Sequence, residues 1–195
     1  MRIYVAAALA VSTSGLGAAA PALAQDAASP AGIYGSLGWS HVDAQGAPTE
    51  SITGRATGRL NRYFGVEADV TGGLSTGDKT YAPGTPSQLD VGVRQKLAGA
   101  GYAVGFLPIT PRFDLLARIG YGASSYKVEP NGLASYSAHE NGLRYGAGAQ
   151  YFLTGSNGLR VDWTREQMNN LTDPGGFLSS GDKADVWTVS LVHKF

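Results

Sequence analysis

The last twelve residues of the chain alternate between apolar and polar side chains and stop on an aromatic residue. Such a period of two, built from β-branched and aromatic residues, is typical of a β-strand. Successive side chains of a strand point to opposite sides, so one face of this strand is largely apolar. That face carries Trp187, Val189, Leu191 and Phe195. Whatever the chain folds into must cover this face or place it in lipid.

The amino-terminal segment has the pattern of a secretory leader. Arg2 precedes an apolar run, a stretch of small residues follows, and Ala22-Leu23-Ala24 forms an A-x-A cleavage site. A membrane anchor is the alternative, but Ser, Thr, Gly and Pro interrupt the run short of the ~18 apolar residues that a helical span needs. We predict that residues 1–24 are a signal peptide, cleaved on export, and that residues 25–195 form one domain.

Composition narrows the class of that domain. The chain has 28 Gly and 10 Tyr with only 15% charged residues, which suits short strands with aromatic ends better than a helical domain. A formal net charge of zero gives nucleic-acid binding no electrostatic support. The absence of Cys excludes disulfides and cysteine-ligated metal sites. We expect no metal and no cofactor.

Eight strand-like segments with alternating character follow one another along the chain. We place them at residues 32–42, 51–60, 64–74, 88–106, 112–128, 138–152, 158–168 and 184–195. The connections alternate between short ones at 61–63, 107–111 and 153–157 and longer ones at 43–50, 75–87, 129–137 and 169–183. Short turns at one end and long loops at the other are typical of an outer-membrane barrel with both termini in the periplasm. The fourth segment changes parity, so either its upper half projects beyond the membrane or a bulge lies near residues 98–101.

The two faces of these segments differ sharply. One face is apolar or small, whereas the other carries charges of both signs: Arg55, Arg59, Glu67, Asp69, Asp114, Arg118, Arg144, Arg160, Asp162 and Glu166. A soluble barrel or sandwich would also alternate, with its charges in water. The aromatic carboxyl terminus and the asymmetry of loop lengths favour a transmembrane barrel with a charged interior. The predicted fold class is therefore all-β, an eight-stranded antiparallel up-and-down transmembrane β-barrel.

The following segments carry a resemblance to a known family: residues 61–67, 115–122, 145–154 followed by 158–163, and the terminal strand. With these segments the chain resembles the eight-stranded outer-membrane β-barrel family that includes the membrane domain of OmpA and the Opa-like surface proteins. The resemblance covers essentially the whole mature chain and implies location in the outer membrane of a Gram-negative cell. His193 departs from the pattern, because such terminal strands often carry an aromatic residue there.

The resemblance also implies an internal ionic network around an inward Glu. Here that residue is Glu67, and its candidate partners are Arg55, Arg118, Arg144, Arg160 and Asp162. The terminal-strand residues Trp187, Val189, Leu191 and Phe195 are the expected assembly signal. Expected partners are outer-membrane lipid and lipopolysaccharide, with the barrel-assembly machinery and periplasmic chaperones during biogenesis. We expect a monomer.

An eight-stranded barrel is just wide enough for side chains to fill. A filled lumen predicts a non-enzymatic protein that serves envelope integrity or surface interaction through four outer loops. A small-solute pore remains the alternative. A lipid-modifying enzyme is a third reading, which would need a Ser, a His and a carboxylate within reach of one another. His41 beside Ser40, and His139 beside Glu140, are the candidates, and we interpret them as rim residues in water.

Overall fold

The computed structural model describes residues 31–44, 47–81, 89–167, 169–175 and 183–195. The predicted signal peptide, residues 1–24, lies outside this part of the chain. The described residues form ten strands: β1 Gly32–Ala44, β2 Ala47–Arg59, β3 Phe64–Gly73, β4 Gly77–Tyr81, β5 Leu89–Thr110, β6 Phe113–Pro130, β7 Tyr136–Phe152, β8 Asn157–Gln167, β9 Asn170–Thr172 and β10 Lys183–Lys194. The described residues contain no helix that is long and apolar enough to span a membrane.

Eight of these strands close into one antiparallel barrel. Strand β1 pairs with β2 on one side and with β10 on the other, which joins the two ends of the chain. Strands β3 and β5 pair through nine residues and so connect the first three strands to the rest. The short strands β4 and β9 add to β5 and β7 respectively. Each of these eight strands pairs with a neighbour on both sides, so the ring is closed and has no unpaired edge. The predicted eight-stranded antiparallel up-and-down barrel is confirmed.

The change of parity in the fourth predicted segment comes from a bulge in β5. The pairing with β6 shifts between Gln95 and Leu97, which leaves Lys96 as the extra residue. The predicted position near residues 98–101 was therefore wrong by a few residues. The strand also projects, since its 22 residues are about twice the 9–11 that a membrane span needs.

The barrel has two unlike ends. Tight turns at residues 60–63, 111–112 and 153–156 lie at one end, beside the carboxyl terminus, and we call this the short-turn end. The other end, the long-loop end, carries the projecting parts of β5, β6 and β7. The predicted loops 43–50, 75–87 and 169–183 are only partly loops, because β1 and β2 extend into the first and β4 and β9 form inside the other two. The short strands β4 and β9 form backbone hydrogen bonds with the projecting parts of β5 and β7.

The two faces of the barrel wall have opposite character. Large apolar side chains stand on the outer surface, and Leu191 is 69% exposed. Charged side chains fill the inside, where Glu67 is only 4% exposed. This arrangement is the reverse of a water-soluble fold and is the one that a lipid environment requires. The outer belt includes Ile33, Leu37, Trp39, Ile52, Val66, Val70, Leu115, Ile119, Val161, Trp187 and Val189.

Glycine on the inner face makes room for large side chains in the lumen. A methyl group added to Gly120 of β6 would overlap the carbonyl oxygen of Gly101 and the ring of Tyr102. The same group on Gly122 would overlap the guanidinium of Arg144. Gly101 itself faces outward, and a methyl group there would meet nothing within 4 Å.

We therefore expect Gly120→Ala to destabilise the folded barrel by about 1–3 kcal/mol, because backbone has to move to relieve the overlap. Gly101→Ala, on the adjacent strand, should change stability by less than about 1 kcal/mol. Urea unfolding of both variants in lipid vesicles measures the difference. Equal stability of the two variants would mean that the inner wall is not packed as described.

Candidate functional site

The barrel lumen concentrates the charged residues of the chain. Arg55 on β2, Glu67 on β3 and Arg118 on β6 point inward because they alternate with lipid-facing residues on their strands. Arg160 and Asp162 do the same on β8. All five side chains are buried. An isolated charge in such a place is heavily penalised, so each of them needs a partner.

The carboxylate of Glu67 lies at the centre of the lumen and contacts three guanidinium groups. Arg118 donates to Oε1 from Nη1 at 2.7 Å, and Arg160 donates to Oε2 at 2.7 Å. Arg55 Nε lies 3.2 Å from Oε1. The hydroxyl of Thr57 donates to Oε2 at 2.7 Å. Both oxygens of one carboxylate are thereby shared among side chains from β2, β6 and β8.

Asp162 completes this central cluster. Arg55 donates to it from Nη1 at 2.8 Å, and Arg160 donates from Nε at 2.9 Å. Asp69 lies 3.8 Å from Arg118 Nη1. Arg118 also donates to the hydroxyl of Thr164. Three guanidinium groups thus face three carboxylates, and the central cluster is close to neutral.

A second ionic group lies inside the barrel at the short-turn end. Arg59 donates to Asp114 Oδ2 at 2.8 Å, and Gln150 donates to the same oxygen at 2.8 Å. Arg59 also donates to the backbone oxygen of Arg62 at 2.6 Å, which ties the side chain to the turn. Its guanidinium lies 4.3 Å from the ring centre of Phe106, within cation–π range. Side chains from four strands or turns therefore meet across this end.

Arg144 belongs to a third group, nearer the long-loop end. It lies 3.1 Å from Glu166 Oε1 and 3.6 Å from Glu140 Oε1, and it donates to Ser124 at 2.7 Å. No ion pair joins it to Glu67 among the described residues. The expectation that Arg144 is a partner of Glu67 was therefore wrong. Arg144 of β7 is the cross-strand partner of Glu166 of β8. This register places Arg144 nearer the long-loop end than the central cluster.

Apolar side chains cover the lumen beyond Arg144. Val91, Tyr126, Val128 and Ala138 form a buried cluster from the projecting parts of β5, β6 and β7. On the opposite wall, hydroxyl groups are linked in a chain, with Ser40 Oγ 2.7 Å from Thr53 Oγ1 and 2.9 Å from Thr188 Oγ1. Ionic groups, an apolar cluster and linked hydroxyl groups thus line the lumen at successive heights.

Sequence reasoning missed part of this lining. Glu140 was interpreted as a rim residue in water, yet the structure buries it beside Arg144. Its parity was the available signal, because Glu140 is four residues from Arg144 on one strand and so shares its face. Thr57, Thr164 and Gln150 were also missed. The sequence does not show whether an uncharged polar residue on the inward face bonds to a charged side chain or only fills space.

The closing strand β10 presents its apolar face outward. Trp187, Val189, Leu191 and Phe195 are all exposed on the lipid-facing surface. His193 shares this face, and its Nδ1 lies 2.8 Å from Asn157 Oδ1. Its ring packs edge-on against Phe195 with 4.7 Å between centres. A role of these residues as an assembly signal stays a prediction.

The two candidate histidines, His41 and His139, lie on the outer side of the wall. His41 Nδ1 lies 2.8 Å from Glu50 Oε1 on the outside of the wall. The neighbouring hydroxyl of Ser40 points into the lumen, where it contacts Thr53 and Thr188. His139 faces outward, whereas Glu140 faces inward. Ser40 and Glu140 therefore lie on the opposite side of the wall from His41 and His139, whereas Ser125 and Ser137 share the outer face with His139.

Comparison with known proteins agrees with this architecture. The sequence model of the family described as "Outer membrane protein beta-barrel domain" matches residues 6–195. The chain belongs to this family. It is therefore an outer-membrane β-barrel protein, and the resemblance noted in the sequence is confirmed. No curated protein matches the chain.

Solved structures of outer-membrane barrels share the fold. Neisserial surface protein A is 14% identical, with a TM-score of 0.62 over 84% of this chain and 97% of that one. Ail, the attachment invasion locus protein of Yersinia pestis, is 16% identical, with a TM-score of 0.54 over 85% and 99%. The N-terminal barrel of Pseudomonas aeruginosa OprF is 10% identical, with a TM-score of 0.56 over 85% and 98%. At these identities the likeness shows the fold alone.

The central cluster makes a prediction for stability. Glu67→Gln leaves three buried guanidinium groups short of a counter-charge, and loss of one partner in a buried network costs about 3–5 kcal/mol. The matched control is Asp185→Asn, which breaks the half-exposed pair with Arg165 on the outer surface. Exposed pairs contribute about 1 kcal/mol or less.

Reversible urea unfolding in lipid vesicles compares the two amide variants. We expect the loss for Glu67→Gln to exceed the loss for Asp185→Asn by at least about 2 kcal/mol. Similar losses would show that Glu67 does not hold the lumen together.

Proposed function

We propose that this protein is a non-enzymatic outer-membrane barrel whose lumen is closed by side chains. In this proposal the short-turn end and the carboxyl terminus lie in the periplasm, and the long-loop end faces outside the cell. The protein would serve envelope integrity or surface interaction through the loops that the rigid barrel displays. Loops on a rigid scaffold are the usual place for such interactions.

The ionic filling of the lumen is the observation that carries the closed state. Three layers of ion pairs cross the interior, around Arg59, around Glu67 and around Arg144. Each layer joins side chains from different strands, so a continuous water path would require pairs in every layer to separate. Separated charges in this narrow space would lose their partners, which is costly.

The projecting sheet supports an outward-facing role. Strands β5, β6 and β7 have 22, 18 and 17 residues, well beyond the 9–11 that cross a membrane. The buried cluster of Val91, Tyr126, Val128 and Ala138 packs the inner face of this extension. The extension is therefore an ordered platform that carries the turn at residues 131–135 away from the membrane.

The positions of the histidines support a non-enzymatic role. Acyl transfer by a serine needs its hydroxyl, a histidine and a carboxylate in hydrogen-bonding sequence. Ser40 and His41 point to opposite sides of the wall, as do His139 and Glu140. His41 pairs with Glu50, and within the described residues no hydrogen bond joins His41 to a serine hydroxyl.

Planar-bilayer recording of the refolded protein tests closure. We expect no steady currents, because the ion pairs of the lumen block the path. Flotation with vesicles confirms insertion, and a porin recorded in the same bilayer confirms that a conducting channel would be detected. Stepwise currents from inserted wild-type protein would contradict the proposal and favour the small-solute pore.

A further inference from the structure

The lumen holds more negative than positive side chains. Among the described residues that are buried, five are arginines and six are aspartates or glutamates. In the central cluster three guanidinium groups face three carboxylates, and Arg59 pairs with Asp114 at the short-turn end. Arg144 alone contacts both Glu140 and Glu166. The excess of one negative charge therefore lies in the group around Arg144.

Each of these two glutamates has one oxygen without a hydrogen-bond donor. Arg144 Nη2 lies 3.6 Å from Glu140 Oε1, and Arg144 Nη1 lies 3.1 Å from Glu166 Oε1. The other oxygen of each glutamate, Oε2, is buried and accepts no hydrogen bond within the described part of the chain. The two side chains are only 2% and 9% exposed. A buried anionic oxygen without a donor is costly, so this place needs a proton or a cation.

The groups that face the two glutamates from the surrounding strands do not neutralise them. Besides Arg144 of β7, these groups are Asp69 of β3, Tyr102 of β5, and Arg118, Ser124 and Tyr126 of β6. Asp69 is itself an acid, and Arg118 already contacts Glu67 in the central cluster. On β10 the cross-strand partner of Glu166 is Ala184. None of these groups adds a positive charge that is not already paired.

We propose that Glu140 and Glu166 hold one proton between them when the barrel is folded at neutral pH. The proton comes from water as the two side chains are buried, and its binding makes the group around Arg144 neutral. One glutamate then stays ionised and pairs with Arg144, while the other is a neutral acid that can donate a hydrogen bond. A metal ion fits this place less well, because the guanidinium would repel it and Ca²⁺ or Mg²⁺ takes about six or more oxygen ligands.

The proton site and the closed lumen are tested separately. The site depends on the contacts of Glu140 and Glu166, so currents in the bilayer experiment would leave it standing. Absence of the proton would likewise leave the closed barrel standing, because the ion pairs around Glu67 and Arg59 do not involve these two glutamates.

The pH dependence of urea unfolding in lipid vesicles tests the proposal. In the unfolded chain both glutamates have lost their protons above about pH 5.5, so folding takes up one proton and stability falls as pH rises. Relative to E140Q or E166Q, the unfolding constant of wild type should rise about tenfold per pH unit between about pH 5.5 and 7. The control E129Q removes a half-exposed glutamate of the outer surface and should keep the wild-type slope. A wild-type slope in either E140Q or E166Q would overturn the proposal.

The double variant E140Q/E166Q tests whether one glutamate stays ionised. It leaves the buried guanidinium of Arg144 without a counter-charge, so its unfolding constant at pH 7 should exceed that of either single variant at least about a hundredfold. Equal stability of the double and single variants would contradict the proposal. Unfolding of wild type should also be the same with and without EDTA, and a loss of stability in EDTA would indicate a metal ion in place of the proton.

Infrared spectroscopy of the folded wild type keeps the test decisive if the variants do not refold. A protonated carboxyl group has a C=O stretching band that an ionised carboxylate lacks. Wild type at pH 7 should show this band, shifted in D₂O and lost at alkaline pH, although exposed carboxyl groups are ionised at pH 7. Absence of the band at pH 7 would overturn the proposal, as would a band that persists in both refolded single variants.

Discussion

The rest of the structure depends on the need to pair every charge inside the lumen. An eight-stranded ring leaves an interior that side chains can fill, and here many of those side chains are charged. The carboxylate of Glu67 accepts hydrogen bonds from Arg118 and Arg160, and the guanidinium of Arg55 lies beside it. These residues come from four strands. The ion pairs therefore connect strands across the lumen, in addition to the backbone hydrogen bonds that connect neighbouring strands around the wall.

The wall is adapted to this interior in two ways. Glycine on the inner face of β6, at positions such as Gly120 and Gly122, leaves space for Tyr102 and Arg144. The bulge at Lys96 restores an inward-facing apolar row in the projecting part of β5, so Val91 packs on Val128. The same bulge turns Arg94 and Lys96 outward, beside the lipid-facing Leu97. One irregularity therefore shapes both the cover of the lumen and the charged outer surface.

Much of the fold could be predicted from alternation, because a period of two assigns each residue of a regular strand to one face. Arg55, Glu67, Arg160 and Asp162 could be placed together since all lie a few residues from a short turn. Arg144 was assigned the wrong partner, because alternation gives the face of a residue but not its height. Glu140 was missed although its parity places it on the face of Arg144, because alternation does not show which inward carboxylates lie close enough to an arginine to pair. The position of the bulge could not be predicted, since several neighbouring residues would restore the same parity.

The central claim is that Glu67 and its arginines act as one unit, and a double-mutant cycle measures this most directly. Unfolding free energies of Glu67→Gln, Arg118→Met and the double variant, measured in lipid vesicles, give the coupling between the two side chains. The account predicts a coupling of at least about 1 kcal/mol, with the double variant less damaged than the sum of the single ones. Losses that add within about 0.5 kcal/mol would contradict it, because independent side chains cannot form the network described.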